Sequence, residues 1–283
     1  MDRLVPRNLN TSCRLLEKEV GRGKIALVFH ISVNDVAGYQ HWLTESQNKF
    51  NSRRLYCVNI DPAPREGMLI DQLVIDEFAS VQLASEFMSV YGDALKALCS
   101  IYAVLAVKPE PLMTFCVVRV ISWFIRLFKG VQDKGPLTSN WSADNIAVWP
   151  DKKQMEVARN QDMDKTLYVY NLNKYRIEAD YPPSANINKP ISGSDAYDRY
   201  AKIAGFELLR RGAFPVYGGK PMGLVDGEPD CMLADHWDKF IFVRYPKRQN
   251  LLTLIESEAF QQGQIHRDAG LERAAIFLGE PVE

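Results

Sequence analysis

Four histidines, few arginines with an evident place on a strand or helix, and scattered asparagines are the residues of this chain that could do chemistry. His30 stands in Ile25–Val33, where alternate residues share a face. Ile25, Leu27, Phe29 and Ile31 make a bulky face suited to helices, and Ala26, Val28, His30 and Ser32 make a smaller, more polar one. An imidazole on that second face could serve as a general base near neutral pH. The alternative is a hydrogen-bonded structural histidine. Glu77 and Arg244 occupy equivalent positions in two later strands, and the planar fork of Arg244 suits a carboxylate or enolate. Either charge could instead be a solvated strand end. His236 and Trp237 precede a strand, and His266 and Arg267 close a helix, where they could also satisfy terminal carbonyls. No two histidines stand in HxH or HxxxH spacing and no CxxC occurs, so no metal is expected. Gly218-Gly219 suits a bulge or turn, and no phosphate-binding glycine motif is present.

These residues need elements to hold them, and hydrophobic periodicity supplies the same order twice. Strands are expected over Ile25–Val33, Leu55–Ile60, Gln72–Phe78 and Ile101–Val107. Helices begin after Asn34 and Ser80, the second weakened at Gly92. The later series runs Thr166–Leu172, a helix over Ser194–Arg211, strands Ala213–Tyr217 and Lys239–Tyr245, a helix from Asn250 to about Leu271, and strand Arg273–Leu278. Both series read β-α-β-β-α-β, the ferredoxin-like order. The expected fold is therefore α+β, with two ferredoxin-like repeats. Each four-stranded sheet would bury its helix-free face against the other, giving an intramolecular pseudo-dimeric α/β barrel whose lumen takes the ligand. The expected divisions are an extension over 1–24, a domain over 25–111, a helix over 112–129, a linker over 130–150, and a second domain over 151–283; a short helix from Pro150-Asp151 to Arg159 lies within the wider Lys129–Lys165 connection between the halves. Residues 178–193 form an insertion with three prolines, either a lid or a packed loop.

Of 283 residues, 47% are hydrophobic and 24% charged, and the net charge is −1, which leaves no basic excess for nucleic acid. Five scattered cysteines fit a reducing cytoplasm. Residues 1–24 carry many charges and no apolar run, so no signal peptide is expected. The stretch Leu112–Phe128 is apolar except for one stripe, Arg119, Ser122, Arg126 and Lys129. At about 26 Å it is short for the roughly 30 Å bilayer core. It can pack its apolar surface on the protein or lie in a membrane interface.

The second half resembles the DUF1330 family of dimeric α/β-barrel proteins through NLNKYR (171–176), ADY (179–181), SGSDAYDRY (192–200), VYGG (216–219), HWDKFIFVRYP (236–246) and IHRDAGLER (265–273). The first half resembles the antibiotic-biosynthesis-monooxygenase (ABM) type through YQHWLTESQNKF (39–50) and DEFASVQLASEFM (76–88), but Asn51-Ser52-Arg53 stands where a Pro-Gly turn is usual. The resemblance implies the fold, substrate contacts at Asn171 and Arg176, and a place for His266 and Arg267 at the barrel mouth. The expected function is binding of a small aromatic or polyketide-like molecule. As a cofactor-free monooxygenase, isomerase or cyclase, the protein would use His30, His236 or His266 as base. Arg244 and Asn171 would hold the oxyanion, with Glu77, Arg267 and the Trp237 and Tyr217 rings around the substrate. The competing class is a non-catalytic binding or interaction protein, at a membrane surface or as a homo-oligomer.

Overall fold

The computed structural model describes residues 16–21, 23–63, 67–130, 145–185 and 190–282. The chain is α+β, and among these residues the β-α-β-β-α-β order occurs twice. It divides into two compact units, each drawn from separate stretches of sequence. The first comprises the described residues up to Pro109, then Gly219–Trp237 and the last residues from Pro281. The second comprises Glu110–Gly218 and Asp238–Glu280.

In the first unit, β1 (Ile25–Val33) leads through α1 (Val36–Ser46) to β2 (Ser52–Ile60) and β3 (Gln72–Phe78). Then α2 (Val81–Ala97) leads to β4 (Cys99–Pro109). Capping fixes the helix starts: Asp35 accepts from the Gly38 amide and Ser80 from the Leu83 amide. β1 lies between β3 and β4, all antiparallel, with β2 outside β3. Leu27, Phe29 and Ile31 bury one face of β1 with Trp42 of α1 and Phe87 of α2, the face assigned to the helices from alternation. Arg54 of β2 grips Asp76 of β3 with two 2.9 Å bonds, while its remaining N–H groups reach the Leu43 carbonyl and Ser46.

α3 (Leu112–Lys129) and α4 (Lys152–Asn160) open the second unit, the latter through a capping box of Asp151 and Gln154. β5 (Leu167–Tyr175), α5 (Gly193–Arg210), β6 (Phe214–Gly227), β7 (Lys239–Tyr245), α6 (Arg248–Ile255), α7 (Glu258–Gly270) and β8 (Leu271–Pro281) follow. β5 pairs antiparallel with both β7 and β8. β6 is much longer than the Ala213–Tyr217 strand expected, and its residues from Gly219 onward pair with β4 in the first unit's sheet. Its glycines read as breakers in sequence. At Gly219 the reason is space, since a Cβ would sit 2.2 Å from the Lys108 carbonyl oxygen. The single helix expected from Asn250 to Leu271 is two helices, because Ser257 takes the extended backbone of an N-cap and Glu258 opens a new first turn.

α5 and α7 cross where Gly193 and Gly270 meet. A Cβ on Gly193 would lie 2.5 Å from the Gly270 carbonyl oxygen, and one on Gly270 2.6 Å from that of Gly193. α3 is turned the opposite way from the packing expected. Ser122 of its polar stripe is buried and donates to the Leu209 carbonyl of α5, and Phe115 stacks on Tyr217. Trp123, Phe124 and Phe128 are exposed instead. A serine lets the helix axes approach, and its hydroxyl finds a carbonyl to satisfy it. No described helix is long and apolar enough to cross a membrane. The expected linker falls largely on residues 131–144, and part of the insertion on 186–189, both outside the described residues.

Candidate functional site

The second unit has a half-open apolar cavity of about 360 Å3 between its sheet and its helices. Val169 and Asn171 of β5, Val243 and Tyr245 of β7, and Ile276 and Leu278 of β8 form the floor. Small residues of α5 open the space: Ala201, Ala204 and Gly205 line the wall, with Leu254 and Ile255 of α6 facing them. Val118 of α3 closes part of the rim. The cavity is on the helix side of the sheet. On the other face Tyr170, Phe240 and Phe277 pack ring to ring, with Tyr170 and Phe240 centroids 5.0 Å apart.

One end of the cavity is polar. Arg267 of α7 is buried, donating from Nε and Nη2 to the Val148 carbonyl at 3.2 and 2.9 Å. Its guanidinium lies 4.6 Å from the Trp149 ring centre and 5.3 Å from that of Tyr200. Such cation–π contacts offset part of the cost of burying charge. Among the described residues no carboxylate pairs with it. Trp149 is held in place by its indole N–H, which donates to Asp268 at 2.7 Å. Burial holds the Tyr200 and Tyr245 phenols well above their ordinary pKa, so both remain protonated. Asn173, two residues beyond Asn171 on the same face of β5, is fully buried, and neither amide atom has a partner among the described residues.

Of the residues singled out in sequence, the cavity brings together Asn171 and Arg267. Arg176 follows β5 and is half-buried, with Nε unpartnered among the described residues. Arg244 is half-buried on β7, opposite Tyr168. Tyr217 is buried against Phe115 and Phe240. His266 bonds through Nδ1 to the Tyr181 hydroxyl at 2.8 Å, tying the insertion to α7, and burial together with Arg199 lowers its pKa. No described residue of the insertion lines the cavity. The remaining candidates belong to the first unit. His30 is fully buried, bonded through Nδ1 to the Val28 carbonyl at 3.1 Å, and burial pushes its pKa down to about 3. Glu77 is buried and paired with Lys24 at 2.7 Å. Trp237 is buried and donates to the Met232 carbonyl, while His236 beside it is exposed.

Sequence reasoning passed over Trp149, Ala204 and Gly205 as site residues. Small residues on the inward stripe of a helix, at positions where its neighbours are Tyr and Leu, were the available signal for a space beneath α5.

The first unit has a more polar cleft of about 480 Å3, lined by Tyr102, Cys99, Cys231, Lys96, Glu228 and Asp230 among others. Burial raises the pKa of both thiols, which keeps them protonated and poor nucleophiles. Among the described residues no cluster of His, Cys, Asp and Glu could hold a metal ion.

No family model matches the chain, and no curated protein does. The likeness to the DUF1330 and ABM families thus rests on the residues quoted for it. Among solved structures, a protein of unknown function from Rhodopseudomonas palustris is 24% identical, covering 48% of this chain and 97% of its own, with a TM-score of 0.42. A protein provisionally described as a monooxygenase, from Fusobacterium nucleatum, is 9% identical over 93% of this chain and 94% of its own, with a TM-score of 0.46. A chlorite dismutase variant from Candidatus Nitrospira defluvii is 9% identical over 95% of each chain, with a TM-score of 0.49.

Proposed function

We propose that the second unit binds a small, mostly apolar molecule carrying one acidic or enolic group, and that it does so without altering it. The observation that carries this is the buried Arg267 at the polar end of an otherwise apolar cavity. A buried cation faced by a carbonyl, aromatic rings and the Tyr200 hydroxyl, with no carboxylate among the described residues, gains from an anion that neutralises it. The volume suits a medium-chain fatty acid or a one- or two-ring aromatic acid, and falls within the ~300–1,000 Å3 of ordinary ligand sites. Asn171 would receive a second polar group of the ligand, and the aliphatic floor its carbon skeleton. No histidine lines the cavity, which favours binding over the proton-abstracting monooxygenase, isomerase or cyclase chemistry. His30, with its pKa near 3, is also a weak base at neutral pH.

Titration calorimetry with decanoate and decanol at neutral pH tests the proposal. Wild type is expected to prefer the acid by roughly tenfold or more, equivalent to ~1.4 kcal/mol. Arg267→Met is expected to erase that preference while still binding the alcohol. Equal affinity of wild type for both probes, or binding of neither, would overturn it.

A further inference from the structure

The outward face of α3 has no use in the cavity. We infer that α3 docks the protein onto an anionic lipid surface. At 100° per residue, Trp123, Leu127, Val120, Phe124, Val117 and Phe128 follow one another around an arc of about 140°. All are exposed, Phe128 at 77% and Trp123 at 54%. The inner side is accounted for by the Ser122 bond to α5 and the Phe115 stack on Tyr217.

Charge selects the occupant. The helix contains no acidic residue and three basic ones, Arg119, Arg126 and Lys129. Arg119 and Lys129 are exposed, and Arg119 lies over the Phe214 ring. An apolar arc rich in Trp, Phe and Leu, with cations on the opposite, polar side of the helix and Arg119 nearest its edge, is the composition of helices that lie in the plane of a bilayer interface. Phosphatidylserine headgroups would compensate those cations. A second copy of the same helix, having no acidic residue, would offer those cations no counter-charge. The length and Arg119 place the helix along the interface rather than across it.

Co-sedimentation of the full chain with vesicles of phosphatidylcholine alone, and of phosphatidylcholine mixed with phosphatidylserine, tests the inference. Wild type is expected to pellet with the mixed vesicles, less so at high salt, and its fluorescence to be quenched by brominated lipid. The Phe124→Glu/Leu127→Glu double variant is expected to partition roughly tenfold less. Trp123→Phe is expected to pellet normally but to lose most of the quenching. Both changes are at exposed positions, and unchanged circular dichroism confirms folding. Failure of wild type to pellet, equal partitioning of the double variant, or a dimer in gel filtration that this variant dissociates without any vesicle binding would each overturn it. The decanoate experiment reads the cavity separately, so either idea can fail alone.

Discussion

At the scale of single residues, burial decides what each ionisable group can do. His30 has its pKa lowered from 6.5 to about 3 by desolvation, so below pH 6.5 the unfolded chain takes up a proton that the folded chain refuses. Stability from this group is therefore complete above about pH 6.5 and falls as pH drops toward 3, by at most about 1.4 kcal/mol per pH unit. Urea denaturation of wild type and His30→Gln across that range is expected to show a steeper decline in wild type. Parallel curves would show that the imidazole is not the group responsible. Arg54 and Asp76 behave oppositely to an exposed pair, since both sit inside the first unit. Asp76→Ala strands a guanidinium there and is expected to cost about 3–5 kcal/mol in chemical denaturation. Alternation along β1 made the face of His30 legible, because Phe29 and Ile31 had to face the helices, but not its complete burial. The role of Arg267 was less so: its neighbours Trp149 and Tyr200 are distant in sequence, and no spacing rule joins them.

At the scale of elements, capping and period were readable and close approach was not. Ser80 and Asp151 marked helix starts because a side-chain oxygen there accepts an orphan amide, whereas the first cap is Asp35, one residue past the Asn34 expected. β1, β3 and β7 run over the residues expected from their alternation. β6 and the break between α6 and α7 depend on how neighbouring backbones come together, which a one-dimensional pattern does not contain. α5 offers an internal comparison. Gly205 has nothing within 4 Å of a would-be Cβ, whereas Gly193 has three backbone atoms inside 3 Å. Gly205→Ala is expected to stabilise by about 0.5–1 kcal/mol through helix propensity. Gly193→Ala is expected to destabilise by about 1–3 kcal/mol, or more if α7 cannot shift. Thermal unfolding of the two variants beside wild type checks the opposite signs.

At the scale of the whole molecule, each unit has an apolar cluster on its own helix side, around Phe29, Trp42 and Phe87 in the first and around Leu252, Phe260 and Tyr200 in the second. A ligand in the cavity belongs to the second. Decanoate at a hundred times its dissociation constant is expected to stabilise the folded protein by ~2.7 kcal/mol, seen as a raised Tm. Ala204→Trp, which fills the space under α5, is expected to remove that increment. An undiminished shift in this variant would place the bound acid elsewhere. The α+β class and both runs of strands and helices were legible because periods of two and 3.6 leave marks in sequence. The cavity was not, since the fold-level expectation put the ligand on the helix-free face, and the space beneath α5 arises from side-chain volumes.

The first unit takes one of its strands from far along the chain. β4 ends at Pro109, yet residues 219–227 of β6 are its partner. A ribosome making this protein has therefore released β1 to β4 long before the strand that covers the β4 edge exists. Through the synthesis of the whole of α3, α4, β5 and α5 that edge keeps its amides and carbonyls open, a template for pairing with another nascent chain. Translation speed and chaperone supply should consequently govern the soluble yield of this protein, and a fragment stopped near residue 109 should aggregate where the full chain does not.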